Sequence, residues 1–480
     1  MTDKQKHIFF LGIGGIGMSA LARYYRHEGY EVAGYDRTPS ELTHALEKEG
    51  IEIVYGDDQL EIGDWRLKLS AENTLVVRTP AVPENNSIYT YLREHGFTIL
   101  KRAEALGKIT ARKKALCVAG THGKTTTSTM LAHLMARSQK SEVRNQKSAI
   151  SAQQSDGVNA FLGGISENYK TNLLLDKESE YVVVEADEFD RSFHHLRPYM
   201  TVVTSVDPDH LDIYGTPEAY RESFEHYCSL VSNTIVMKYG LPLLRNQKSE
   251  IRNQKVLTYS AEDTRADFYA ANIDTGNESI VFDLHHPNGV IKGIRLGVPV
   301  WVNIENSIAA AAIALQCGMS EEAIREGLAT FKGVHRRFNI HVQTPQIAYI
   351  DDYAHHPQEI AAAIQSVRKL YPTRRFLGIF QPHLYTRTRD FADEFAEVLS
   401  TLDEVILLPI YPARELPIEG VSSGMLLSKI TIADKHLLTK EELVAEIAER
   451  AKRIAPAVVL TIGAGDIDRL VPAIAETLNG

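Results

Sequence analysis

Apolar residues along this chain fall into short runs that stop at glycine or at acids, and between the runs they recur every three to four positions. The first pattern predicts buried strands and the second predicts helices packed against them. His7–Leu11 (HIFFL) is a strand followed by GIGGIGMS at 12–19 and then a helix to about His27. A second strand at 31–35 ends at Asp36, a third spans 75–78, and Ser87–Glu94 is a short helix. The run ALCVA at 115–119 leads into GTHGKTTT at 120–127, after which Met130, Leu131, Leu134 and Met135 take helical spacing. Tyr181–Glu185 (YVVVE) and 200–206 are strands that end in acidic blocks, EADE at 185–188 and DPDHLD at 207–212. Residues 301–315 form an Ala/Ile-rich helix, and 348–350 opens a last strand-helix series. Alternation of this kind predicts mainly parallel sheets with ligands beyond the carboxyl ends of their strands.

Two of the turns carry chemistry. In GTHGKTTT the glycines bracket a strand-to-helix turn whose first amides have no helical partner and sit where the dipole is positive. Gly120, Thr121, His122, Gly123, Lys124, Thr125 and Thr126 therefore form a phosphate cradle, with Lys124 reaching terminal phosphates and the Thr125 hydroxyl suited to magnesium. The loop is shorter than the general phosphate-loop pattern, because Val118 stands where that pattern has glycine. The turn formed by Gly12, Gly14, Gly15, Ile16, Gly17, Met18 and Ser19, with Asp36 about twenty residues on, has the form of a dinucleotide-binding opening. It admits a diphosphate without saying which molecule carries it.

Glu185 and His210, each after a strand, are candidate ligands for a metal held against a triphosphate. Asn303 and Asn306 share a helical face and either read a purine edge or cap a helix start. Tyr353, His355 and Arg387 lie in loops rich in Tyr, His and Arg.

Composition narrows the setting. The chain has 480 residues, which suggests about three domains; 44% are apolar and 24% charged. A net charge of −10 argues against nucleic acid as a partner. The apolar run at 8–13 is too short for a signal peptide or a membrane span, and the three cysteines are widely spaced, so a cytoplasmic protein with no membrane insertion is expected. Two polar stretches, 140–148 and 245–255, share the unit KSE(V/I)RNQ and read as unpacked surface insertions.

Taken in order, GIGGIGMS, GTHGKTTT, EADE, DPDHLD, GVHRRF (333–338), DDYAHHP (351–357), FQPH (380–383) and PIYPARE (409–415) resemble the Mur ligases, the ATP-dependent enzymes that build the peptide of bacterial cell-wall precursors. The resemblance implies an α/β protein of three domains. These would be an N-terminal Rossmann-like domain for a UDP-sugar (1–112), a central P-loop ATPase-like domain with a mostly parallel sheet for ATP (113–337), and a C-terminal Rossmann-like domain for an amino acid (338–480). It implies that L-alanine is joined to the lactyl carboxylate of UDP-N-acetylmuramate through an acyl phosphate, with ATP and Mg2+.

By position, Lys124 would neutralise the phosphoryl group in transfer, and Thr125, Glu185 and His210 would hold magnesium. Asn303 and Asn306 would meet adenine, Arg337 the phosphates, and Asp352 the ribose. Tyr353, His355 and Arg387 would border alanine, and the turn at 12–19 would take the UDP diphosphate. Val302, Ser205 and Leu384 depart from the family pattern, and Phe224 stands where other branches carry a modified lysine. A ligase for a recycled tripeptide and, less well supported, a nicotinamide-dependent dehydrogenase are the alternatives.

Overall fold

The computed structural model describes residues 6–56, 69–137, 157–243, 254–276, 279–413 and 415–479. The strands are β1 (His7–Leu11), β2 (Glu31–Asp36), β3 (Glu52–Tyr55), β4 (Thr74–Arg78), β5 (Thr98–Lys101), β6 (Lys114–Ala119), β7 (Asn159–Phe161), β8 (Leu173–Leu174), β9 (Tyr181–Glu185), β10 (Pro198–Val203), β11 (Thr234–Lys238), β12 (Lys255–Ser260), β13 (Phe268–Asp274), β14 (Val281–His286), β15 (Gly289–Arg295), β16 (Asn339–Gln343), β17 (Ile347–Asp352), β18 (Arg375–Phe380), β19 (Glu404–Leu407), β20 (Lys435–Leu437) and β21 (Ala457–Ile462). They form three sheets, of order β3-β2-β1-β4-β5, β15-β14-β13-β12-β11-β10-β6-β9-β7-β8 and β16-β17-β21-β18-β19-β20.

The first sheet is parallel throughout, with β1 between β2 and β4. Chain order reverses beside β1, so the turn after it opens at the switch point where doubly wound sheets bind ligands. In the central sheet β6 lies between β10 and β9, both parallel to it. That neighbourhood explains the apolar run at 115–119, since a strand covered on both faces cannot alternate with polar residues. Ala115, Leu116, Cys117, Val118 and Ala119 are all fully buried. In the third sheet the alternation of β17 sorts its side chains to two faces. Ala348 and Ile350 join one core cluster and Ile347 and Tyr349 another.

The chain divides into two compact units. The first holds residues 1–271, 284–292 and 306–328, and the second holds 272–283, 293–305 and 329–480. Within the first, one continuous core joins the helix Ile16–His27 to the central sheet, as in the contact of Tyr24 with Phe161 at 5.4 Å.

Most expected elements stand where the pattern put them. One is shorter: the strand expected at 200–206 ends at Val203, because Thr204 and Ser205 turn aside to hold the neighbouring loop. Of the repeated polar stretches, 140–148 and 245–253 lie outside the described residues. Lys255 begins β12.

Candidate active site

The loop after β6 is built by its neighbours. Gly120 has φ +131°, and a Cβ there would stand 2.0 Å from Thr204 Oγ1, so only glycine fits. This accounts for the shortened motif: position 118 is still inside the strand, and the close approach comes two residues later. The Thr204 amide donates to Ala119 O, the Thr121 amide to Ser205 O (3.2 Å), and the Thr204 hydroxyl to His122 O. Ser205, a departure from the family pattern, accepts the His122 amide at 2.9 Å and so serves the loop directly.

The helix Lys124–Arg137 starts at once, with its first bond from the Thr127 amide to Gly123 O (3.0 Å). The amides of its first turn are left without helical acceptors. Thr121 to Thr126 are all partly exposed, which suits a cradle a ligand can reach.

Lys124 is the charged centre of this loop. Its Nζ donates to Gly120 O (2.7 Å) and Thr121 O (3.3 Å) and pairs with Glu188 at 2.8 Å. Burial alone would lower the pKa of Lys124, but the carboxylates of Glu188 and Glu185 outweigh it and hold the ammonium above its ordinary value. Burial pushes the Glu188 carboxyl up to about 7, against the pull of Lys124. Asn306 lies on the same loop: its Oδ1 accepts the Thr127 hydroxyl at 3.1 Å and is 3.0 Å from where a Cβ on Gly123 would be.

His210 has φ 52° and precedes the short helix Leu211–Tyr214 without capping it through its side chain. Its ring meets Phe189 edge-on at 5.1 Å and lies 3.7 Å from Asp209.

In the turn after β1, Asp36 bonds to the loop itself. Its Oδ2 accepts the Gly14 amide at 2.8 Å, so the carboxylate braces the loop from inside. The Gly12 and Ile13 amides bond to Tyr35 O, and the Gly15 amide bonds to Gly12 O. Gly15 leads into the helix Ile16–His27 with no side-chain cap, which leaves the amides of the first turn, Gly17 among them, without helical acceptors. Met18 and Ser19 differ from the expectation. Both side chains are buried, and Ser19 Oγ donates to Ile16 O and accepts from Asn172 Nδ2. They anchor the helix beneath the turn and present no side chain to a ligand.

In the second unit, Arg336 and Arg337 part company. Arg336, with φ 62°, turns inward to Asp351 and to Asp468, each at 3.5 Å, and to the Gly463 and Gly465 carbonyls. Arg337 stays partly exposed over the Tyr353 ring at 5.0 Å. Asp352 accepts the Phe338 amide (2.9 Å) on one oxygen and the Ala354 amide (2.8 Å) on the other. Burial raises its pKa to about 6 in spite of Arg337.

His355 contacts Tyr353 at 5.4 Å and His383 at 6.1 Å. Arg387 is 3.4 Å from His383 Nδ1, and His383 stacks on Tyr411 at 5.7 Å. Burial, then Arg387, lowers His383 to about 4, and burial lowers His355 despite Glu359. Tyr353, His355, His383 and Arg387 thus make one cluster of neutral imidazoles beside a cation. Leu384 precedes the helix Tyr385–Asp390 with φ 71°, its amide bonded to Tyr411 O. Asn303 is buried and donates to Val298 O (3.2 Å), and Val302 is exposed at the helix start.

Known families decide what this assembly is. Residues 7–114 match the Mur ligase family catalytic domain, 118–314 the Mur ligase middle domain and 336–466 the Mur ligase glutamate ligase domain. The chain belongs to the Mur ligase family.

Among Mur ligases it is similar to the UDP-N-acetylmuramate–L-alanine ligase of Parabacteroides distasonis, 52% identical over 99% of this chain and 98% of that protein. The enzyme of the same name from Porphyromonas gingivalis is 50% identical over 99% of each. The crystal structure of a UDP-N-acetylmuramate-alanine ligase from Thermotoga maritima superposes with a TM-score of 0.77, at 26% identity over 98% of each chain.

The candidate donors for magnesium are of two kinds. Glu185 and Thr125 supply oxygen, and His210 a nitrogen. Among the described residues, the one trio of His, Cys, Asp or Glu with ligand atoms within 4.8 Å is Glu404, Asp434 and His436, in the second unit. Glu185 is not one of that trio, and an ion bound by one or two carboxylates together with substrate phosphates needs no such cage.

Two site residues escaped the sequence reading. Glu188 was visible only as the last letter of EADE, and His383 only as the end of FQPH. Phe224 lies in an aromatic core with Phe193 (5.1 Å) and Tyr220 (5.1 Å), where a charged modified lysine has no place.

Proposed function

We propose that this Mur ligase uses ATP to join L-alanine to the lactyl carboxylate of UDP-N-acetylmuramate. The carboxylate takes the γ-phosphoryl group of ATP to give an acyl phosphate and ADP. The alanine amine then attacks the acyl carbon, an amide forms, and inorganic phosphate leaves. A carboxylate resists attack because its charge is shared over both oxygens; phosphorylation removes that charge and supplies the leaving group. Most of the rate gain then comes from charge neutralisation and positioning.

Lys124 is the group assigned to the transferring phosphoryl oxygens, and the amides of residues 120–126 to the nucleotide's phosphates. Bound Mg2+ would neutralise phosphate charge, held by Thr125, Glu185 and His210. We assign the UDP diphosphate to the turn at 12–17, adenine to Asn306 and Asn303, and the ribose and phosphates to Asp352 and Arg337. Arg387 is the cation for the alanine carboxylate, and the neutral rings of His355 and His383 line the same cluster without adding competing positive charge. A cytoplasmic setting accords with nucleotide substrates; no helix of the described residues is long and apolar enough to cross a membrane.

The observation that carries this reading is the pairing of two glycine turns of different equipment, one braced by Asp36 and the other charged by Lys124, in a chain half identical to alanine-adding ligases. Phosphate release from ATP and UDP-N-acetylmuramate, compared across alanine, glycine, serine and a cell-wall tripeptide, tests it. Alanine-dependent release is expected; release with the tripeptide alone would reassign the substrate.

A further inference from the structure

We infer that Arg102 is the residue that binds the lactyl carboxylate of the acid substrate, a role that rests on the ligase reading above. Within the first unit, a cavity of about 130 Å³ lies between the first turn of the helix Ile16–His27 and the end of β9, with Gly17, Arg102, Phe161, Gly163, Glu185 and Asp187 on its walls. Three of its wall residues are charged, and two of those are acids. A substrate carboxylate entering there meets negative charge from both, and Arg102 is the cation on the wall that can offset it.

The guanidinium is held in place for this. Its NH2 group donates to Asp187 Oδ2 at 2.8 Å, and NH1 lies 2.8 Å from where a Cβ on Gly17 would stand. Any side chain at position 17 would push it aside. The bond to Asp187 uses one donor of the fork and leaves others for a planar carboxylate, the partner this geometry suits best. With 23% of its side chain exposed, Arg102 is within a ligand's reach.

The facing wall is kept clear by another glycine. The Glu185 carboxylate lies flat against Gly163, where a Cβ would be 2.0 Å from Oε2 and 2.9 Å from Oε1. The cavity thus runs from Gly17, in the turn assigned to the UDP diphosphate, to Glu185, whose charge acts on Lys124. A carboxylate on Arg102 would be tethered on one side and presented to the phosphoryl donor on the other.

The test is equilibrium binding by calorimetry with the full chain, comparing UDP-N-acetylmuramate with UDP-N-acetylglucosamine, which lacks the lactyl group. Arg102→Ala should weaken the first about 10- to 100-fold, the span of a hydrogen bond to a charged group, and leave the second within about twofold. Arg102→Lys, which keeps the charge without the fork, should fall between and supplies the same comparison if the alanine variant does not fold. Equal weakening of both sugars would assign Arg102 to the diphosphate and overturn the inference, as would no weakening of either. Failure of the ligase reading would look different: the unaltered protein would release no phosphate with alanine.

Discussion

The turns after β1 and after β6 look alike as backbone, each a strand, a glycine-rich reversal and a helix whose first amides are open. They differ in what neighbouring strands bring to them. At the first, the tip of β2 delivers Asp36, whose carboxylate takes the Gly14 amide at 2.8 Å and braces a turn that has no Lys or Arg among residues 12–19. At the second, the end of β9 and the chain just beyond it deliver Glu185 and Glu188 to Lys124, so the turn carries a paired charge. A diphosphate that only needs holding suits the first. A phosphoryl group that must move suits the second, where the counter-charge can be exchanged from a protein acid to the nucleotide.

Removing the charge from the second turn should have the largest consequence. Lys124→Ala is expected to lower kcat by about 10²-fold or more, since the ammonium meets charge that develops during transfer. Steady-state phosphate release measures it, and a kcat near that of the unaltered protein would make the two turns equivalent.

Asp36→Ala should then separate them from the other side. Loss of a hydrogen bond to a charged acceptor costs about 2 kcal/mol. The loosened turn should raise KM for the UDP-sugar while KM for ATP stays the same. If ATP were the substrate affected, the assignment of the turns would be reversed.

Glu188→Gln is the smallest and most diagnostic change. Without the acid that locates Lys124, kcat/KM for ATP should fall about tenfold, the loss of one modest charge-assisted bond. The variant should also alter the pH dependence of stability. The folded pKa of Glu188, about 7, lies above its ordinary value of 4.5. The folded state therefore binds the proton more tightly, and the resulting stabilisation is present below about 4.5 and lost as pH rises through 7. Thermal melting from pH 4.5 to 8 should show this decline in the parent and a flatter profile in Glu188→Gln. An unchanged profile would mean that the pull of Lys124 cancels the effect of burial and keeps Glu188 ionised.

How much of this was legible in the sequence follows from the range of the interactions. Strands such as Tyr181–Glu185 and turns such as 120–127 are written locally, in apolar runs and glycines, and the structure has them at those positions. The pairing of Lys124 with Glu188 spans 64 residues and depends on how the chain turns back after β9, which no spacing records. Asp36 was visible as an acid at the right interval, but its partner was not, because the direction of its carboxylate is set by the packing of β2 on β1. Arg336 and Arg337 are indistinguishable as letters; a positive φ at Arg336 sends one to the buried Asp351 and leaves the other at the surface. Ser19 and Met18 sit in a ligand motif yet face the core, since a helix must bury one side whatever its first turn binds.

The most direct measurement is a titration of the full chain with UDP-N-acetylmuramate in the absence and presence of a saturating non-hydrolysable ATP analogue and magnesium. Two separate cradles predict that both ligands bind together, one of each per chain, and that Lys124→Ala weakens the analogue while leaving the UDP-sugar within about twofold. Displacement of the UDP-sugar by the analogue would mean a single shared nucleotide site and would contradict the division of labour between the two turns.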